Sequence, residues 1–132
     1  MSALSALSSN TKALLLAFVC ALCISTGQVL WKVAIDRNGG FIKQGISLAN
    51  NFWGLFTSPY MLIGLLIYLI ATVIWMYVLG EYEYSYIYPM ISMVYVFGFA
   101  YSKFLFHEQI NIYRWIGVVL IIAGVIVINR KG

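Results

Sequence analysis

The chain has 132 residues, of which 63% are hydrophobic and only 9% charged, with a net charge of +4. A soluble domain has roughly a quarter of its residues charged, so this composition excludes a water-soluble globule. The basic residues are scattered rather than clustered, which speaks for membrane topology and lipid contact and against nucleic acid as a partner.

The first apolar run, about 12–35, reaches the roughly 20 residues a bilayer-spanning helix needs. It is too long for the apolar core of a signal peptide and has no convincing small-residue cleavage site, so it is read as helix 1. Cys20 and Cys23 lie inside it and are read as small buried residues. Ser25, Gln28 and Lys32 are spaced by three and four and therefore share one helical face. Gly27 beside them lets another backbone come close. A lysine at depth costs roughly 2.5 to 3.5 kcal/mol on insertion scales, so Lys32 either snorkels to the interface or faces a polar cavity. The neighbouring Ser25 and Gln28 make the cavity as good a reading as the interface.

The connection over 36–58 starts with Arg37-Asn38-Gly39-Gly40 and continues with Phe41, Ile42, Ile46, Phe52, Trp53 and Phe56, the pattern of a turn followed by a segment lying at the membrane surface. Trp53 and Tyr60 read as interfacial anchors. A second span is expected over 59–79 and a third over 84–106. In the third, Tyr88, Ser92, Tyr95, Phe99 and Ser102 recur along one side, and Pro89 removes a backbone donor near its start. Ten tyrosines, crowded at Tyr82, Tyr84, Tyr86 and Tyr88, offer flat faces and hydroxyls that suit a sugar ring; an ordinary aromatic belt uses the same residues.

Lys103 closes that span, and His107 and Glu108 follow in a short connection, where Glu108 reads as a salt-bridge or helix-start residue rather than a proton carrier. The fourth span, 112–129, is almost purely apolar, with Gly117 and Gly124 seven residues apart on one face. That face is a candidate dimer interface, and packing within one unit explains it equally well. Four helices barely enclose a path for a polar solute, whereas two such units do, which favours a dimer. The whole chain, 1–132, is thus read as one all-α integral membrane domain of four transmembrane helices, functional as a dimer. Four spans put both termini on one side, with Lys12, Arg130 and Lys131 there and Arg37, Lys43 and Arg114 opposite, so the balance of basic residues leaves orientation open.

Several of these residues carry a resemblance. Gly27-Gln28 with Lys32, Tyr88-Pro89-Met90 with Ser92, His107-Glu108, and Trp115 with Gly117 and Gly124 resemble the small four-helix members of the drug/metabolite transporter superfamily, which share the small multidrug resistance-like fold. Within it the pattern is similar to the small subunits of the aminoarabinose-phosphoundecaprenol flippase. The multidrug branch carries a membrane-embedded glutamate in helix 1, three residues before the glycine and eight before the lysine. Ile24 stands at that position here, and no other acid lies within an expected span, which argues against proton-coupled drug export.

The resemblance implies a transporter, not an enzyme, that flips a polyprenyl-phosphate-linked sugar across the bacterial cytoplasmic membrane for envelope glycan or lipopolysaccharide modification. It implies membrane lipids as surroundings, a homodimer or a heterodimer with a related small subunit, and no cofactor or metal. Lys32, Lys103 and Arg114 are expected at the phosphate, and Ser25, Gln28, Trp31, Tyr88, Ser92 and Tyr95 at the head-group. Gly27, Pro89 and Glu108 take structural or gating roles, and Gly117 and Gly124 the dimer interface. Flipping runs downhill where a transferase consumes the sugar on the far side. The competing readings are a multidrug or small-metabolite exporter and a non-transporting accessory subunit of a membrane glycosyltransferase.

Overall fold

A computed structural model describes residues 2–131, with side chains described over 9–130. The side chain of Lys131, counted above in the charge balance, lies outside the described residues. The described chain is all-helical: α1 (Ser2–Asn38), α2 (Leu48–Phe56), α3 (Pro59–Glu81), α4 (Tyr84–Met90), α5 (Met93–Phe104) and α6 (Ile112–Lys131). Among the described residues three helical stretches are long and apolar enough to cross a membrane, Ser9–Asn38, Pro59–Glu81 and Ile112–Arg130.

Each helix ends where its sequence dictates. Gly39 at φ +80° stops α1: its N–H bonds Asp36 O at 3.1 Å, and the Gly40 N–H reaches back to Ile35 O at 2.9 Å. This pair of bonds is a Schellman closure, which needs a residue in the left-handed region, and glycine takes it without a Cβ penalty. Ser47 caps α2 by accepting from Asn50 N, and Ser58 caps α3 by accepting from Met61 N at 3.3 Å, with Pro59 at the first helical position. The Asn111 side-chain oxygen accepts from Arg114 N at 3.1 Å and starts α6 in the same way.

The expected interfacial connection contains the short helix α2, held to the preceding loop by the buried Asn51. Its amide donates to Lys43 O and Ile46 O, each at 3.3 Å, and its oxygen accepts from Lys43 N at 3.2 Å. Phe41, Phe52 and Phe56 stack along its outer side, and Trp53 is 75% exposed. Such an apolar outer face is stable against lipid, not against water.

Where the sequence predicts one helix over 84–106, the structure divides it into α4 and α5. Pro89 has no N–H to give, and the backbone tightens after it: Ile91 N, Ser92 N, Val94 N and Tyr95 N each bond a carbonyl three residues back, at 2.9 to 3.2 Å. This is a 3₁₀ turn, a common product of proline inside a helix.

Helix α1 is the centre of the arrangement and packs on α3, α5, α4 and α2, while α6 packs on α5 and α4. Its row of small residues, Ala13, Ala17, Cys20, Ala21, Gly27 and Ala34, is almost wholly buried. Gly27 faces Gly64 of α3 so closely that a Cβ at Gly27 would sit 2.9 Å from Gly64 O, and one at Gly64 would sit 2.8 Å from Gly27 O. The two helices run in opposite directions, since Lys12 lies over Tyr77 while Arg37 lies over Tyr60. One buried cluster, Ala13, Ala17, Val78, Ile87 and Met90, joins the start of α1 to α3 and α4; another, Ala34, Leu55 and Met61, joins its end to α2 and α3. Tyr86 donates to Asn129 at 3.0 Å and ties α4 to α6.

The Gly27–Gly64 contact yields a stability prediction. Gly64→Ala forces a methyl onto the facing backbone and should destabilise by about 1–3 kcal/mol, the range for overpacking. Gly80→Ala, whose Cβ would meet open space, should be neutral or stabilising. Thermal unfolding of the two purified variants in detergent micelles checks both, and equal stabilities would mean the helices are not in backbone contact.

Candidate functional site

The close approach of α1 and α3 fixes the rotation of α1, and the polar stripe is thereby turned toward α5. Ser25, Gln28 and Lys32 line a cavity of about 200 Å³ whose far wall is Gly98, Tyr101 and Ser102 of α5, with Phe106 and Glu108 at the mouth. A second cavity, about 520 Å³, opens on the other side of Gln28, between Ile24, Tyr68, Tyr88, Pro89, Ser92 and Tyr95. The larger volume falls within the roughly 300–1,000 Å³ of small-molecule sites. Gln28 is common to both.

The smaller cavity is framed by hydrogen bonds with an assignable direction. The Thr26 hydroxyl donates to Leu22 O at 2.7 Å. It has a single proton, so Tyr101 must be the donor in its 2.8 Å contact with Thr26. This bond locks α1 to α5 beside the stripe, and Phe18 meets Phe97 edge-on, one turn back along α5 and about two turns back along α1. At the mouth, the Ser102 hydroxyl donates to the Glu108 carboxylate at 2.5 Å, and the Glu108 N–H bonds Ser102 O at 3.0 Å. His107, between them in the chain, adopts the left-handed φ of +51° that makes this doubling back possible.

Lys32 pairs with Asp36 at 3.5 Å, and its ammonium lies 4.9 Å from the Phe106 ring centre. Both members of the pair are about half exposed, at 47% and 56%. An exposed pair of this spacing contributes only about 0.3–0.5 kcal/mol, so Lys32 exchanges partners easily. The tyrosines of the larger cavity are ordered by stacking, Tyr84 on Tyr88 with ring centres 4.5 Å apart and Trp75 beside Tyr88 at 6.2 Å. Tyr88 is 48% and Tyr95 68% exposed; Tyr84 takes one face and the hydroxyl of Tyr88, which leaves its other face and the ring and hydroxyl of Tyr95 open.

The structure therefore brings together Ser25, Gln28, Lys32 and Glu108 in one cavity, and Gln28, Tyr88, Pro89, Ser92 and Tyr95 in the other. Three residues expected at the site stand apart. Trp31 follows Gly27 by four and belongs to the row facing α3, where its ring packs on Tyr68 at 5.1 Å and against Gly64. It lines a third, wholly apolar cavity with Ile35, Phe41, Phe56, Met61 and Leu65. Its buried indole nitrogen has no hydrogen-bond partner among the described residues. Lys103 is exposed, one position around the helix from Ser102, and Arg114 is exposed on α6, which borders neither cavity. Gly117 and Gly124 face open space. The sequence gives no signal that sets Tyr68 and Tyr101 apart from eight other tyrosines, yet both line the cavities.

Comparison with known proteins places this geometry. The family described as the EamA-like transporter family matches residues 39–130. A protein of Pseudomonas fluorescens named "Probable 4-amino-4-deoxy-L-arabinose-phosphoundecaprenol flippase subunit ArnE" is 34% identical over 119 residues, 89% of this chain and 96% of its own. A like-named protein of Aeromonas hydrophila is 31% identical over 116 residues, 88% of this chain and 95% of its own. A Proteus mirabilis protein named as the ArnF subunit is 27% identical over 119 residues, 87% of this chain and 90% of its own. No solved structure matches significantly. The expected kinship with the drug/metabolite transporters and with the aminoarabinose flippase subunits is thus shown.

The interhelical hydroxyl pair gives a second prediction. A double-mutant cycle of Thr26→Val and Tyr101→Phe should return a coupling of about 0.6 kcal/mol, the average for polar pairs inside membrane proteins. Reversible unfolding in mixed micelles measures it, and a coupling of zero would mean that the two hydroxyls do not meet.

Proposed function

The chain belongs to the EamA-like transporter family, and from that premise we propose that it is a subunit of a flippase carrying a polyprenyl-phosphate-linked sugar across the bacterial cytoplasmic membrane. The observation that carries the reading is the pair of cavities that share Gln28 in their walls, one lined by a cation and the other by aromatic rings. A lipid-linked sugar needs shelter only for its anionic phosphate and polar head, because its tail stays in the bilayer. Lys32 supplies the cation, and it is held only by a weak, exposed pair with Asp36. Tyr88 and Tyr95 supply ring faces, while Gln28, Ser25 and Ser92 supply donors and acceptors.

Ile24 supports the same reading against drug export. It stands where the multidrug branch has its glutamate and lines the larger cavity, so that an apolar side chain occupies the position of the proton-exchanging acid. No acidic residue lines that cavity.

In this proposal α4 and α5 together form the third of four crossings: the stretch 84–104 is about 31 Å long at helical rise, close to the hydrocarbon thickness. Helix α6 presents its glycines and an exposed apolar face, including Ile116, Val119, Leu120 and Val127, to a second subunit. That subunit is either a second copy or a related small protein; the relatives named as two different flippase subunits favour the latter.

The test is flipping of a polyprenyl-phosphate sugar in liposomes containing the protein alone or with a candidate companion subunit, scored by access to an impermeant reagent. Access beyond the outer-leaflet share is expected with the functional pair, and none in any combination sinks the reading. Lys32→Ala should weaken binding of the lipid about tenfold or more, as loss of a charge-assisted contact of about 1.5–3 kcal/mol requires. Lys12→Ala removes an equal charge that lies over Tyr77, far along α1, and should have little effect. Equal effects would return Lys32 to a snorkelling role.

A further inference from the structure

We propose that the apolar cavity between the end of α1, α2 and the start of α3 binds one acyl chain of an anionic phospholipid whose head-group is held by Arg37 and Lys43. The inference concerns the membrane around the protein and not its cargo, so it stands apart from the flippase reading. Its first basis is the form of the cavity. Trp31 and Ile35 are one turn apart on α1, Met61 and Leu65 one turn apart on α3, and Phe41 and Phe56 complete the wall from the α2 side. The space, about 300 Å³, therefore reaches from the level of α2 about 6 Å along the two long helices. Its lining is wholly apolar, with the indole nitrogen of Trp31 lying against Gly64 of α3. Water needs two to four polar partners and finds none there. At that depth the surrounding solvent is hydrocarbon, which matches the lining.

The second basis is charge at the same end. Between residues 36 and 58 the charged side chains are Asp36, Arg37 and Lys43. Asp36 pairs with Lys32, and neither Arg37 nor Lys43 makes an ion pair among the described residues. Both cations are nevertheless positioned. The Arg37 guanidinium lies 4.4 Å from the ring centre of Tyr60, the neighbour of the cavity residue Met61. The Lys43 backbone is tied on both sides to the Asn51 amide, at 3.2 and 3.3 Å. Its Cε lies 3.4 Å from the place of a Cβ on Gly39, which brings the side chain back to the turn that ends α1. A helix C-terminus favours a cation. Two cations at one turn, with the nearby acid already taken, leave an excess that an anion matches.

One phospholipid answers both observations. Its phosphate meets Arg37 and Lys43 at head-group level, where the exposed Trp53 and Phe52 of α2 also sit, and one chain runs down between α1 and α3. A second copy of this chain is a poorer occupant, because a two-fold contact through this face would set the same cations against each other.

The experiment uses the full chain carrying Trp53→Phe, Trp75→Phe and Trp115→Phe, so that Trp31 in the cavity wall is its single tryptophan. It is reconstituted in phosphatidylcholine vesicles containing a small share of phosphatidylglycerol with brominated acyl chains, or of equally brominated phosphatidylcholine. Bromine quenches an indole it touches, so Trp31 emission reports a chain in the cavity. Brominated phosphatidylglycerol should quench at a share about tenfold or more lower than brominated phosphatidylcholine, as two cations at the membrane surface give. Arg37→Gln together with Lys43→Gln should abolish that preference. Lys12→Gln together with Arg130→Gln, the same charge removed toward the start of α1 and at the end of α6, should keep it. Equal quenching by the two lipids in the single-tryptophan chain, or a preference that survives the loss of Arg37 and Lys43, overturns the inference. Recovery of emission on adding unlabelled undecaprenyl phosphate but not on adding unlabelled phosphatidylglycerol would give the cavity to the tail of the cargo and overturns it as well. None of these outcomes sinks the flippase reading, which is scored by transport.

Discussion

The contact between Gly27 and Gly64 sets the rest of the molecule. In lipid there is little hydrophobic gain from bringing two apolar helices together, so their association depends on close backbone approach and dispersion. The buried small residues of α1 allow that approach along several turns, with the Cys20 thiol directed at Ala71 O, 3.8 Å away. Once α1 is seated on α3 by this row, its rotation has no freedom left. Ser25, Gln28 and Lys32 must turn toward α5, and Trp31 must turn away from them. A polar stripe on an otherwise apolar helix is costly when it faces acyl chains; seated this way, it faces cavity walls built from Tyr101, Ser102 and Tyr95.

The division between α4 and α5 has a complementary role. A continuous helix would keep Tyr88 and Tyr95, seven residues apart, close to one line. The 3₁₀ turn after Pro89 changes the winding between them, and the residues of the turn, Ile91 and Ser92, line the larger cavity themselves. Irregular backbone at membrane depth is tolerated where it borders protein or a water-accessible space, and this turn borders the larger cavity. The proline thus bears on the shape of the cavity.

The helical class, the apolar spans and the transporter family were legible in the residues, because hydropathy and spacing are properties of a chain by itself. The stripe of Ser25, Gln28 and Lys32 belongs to the same class of signal. Periodicity, however, says which residues share a face and not which helix that face meets. Trp31 stands three residues from Gln28 and four from Gly27, so spacing puts it beside either row, and only the packing on α3 decides for the row of Gly27. Lys103 and Arg114 looked like partners for Lys32 because all are basic; one residue around α5, or one helix away, was enough to part them. The break at Ile91 and Ser92 was hinted at by Pro89 but its place was not, since the tightening occurs after the proline. Tyr68 and Tyr101 were hidden by the abundance of their own kind.

Gln28, the one side chain shared by the two cavities, has a consequence for how fast anything can pass between them. Its amide carries an oxygen that accepts and a nitrogen that donates two hydrogen bonds. In the flippase proposed above, a polar group leaving the Lys32 side for the tyrosine side would take hold of Gln28 before it lets go of its previous partner. Dehydrated intermediates are what make transfer through a bilayer slow, and a relay point that is both donor and acceptor removes the moment at which the cargo has no partner. Under that proposal Gln28 is a setter of pace more than of grip: its amide would flatten the path between two resting places without deepening either one.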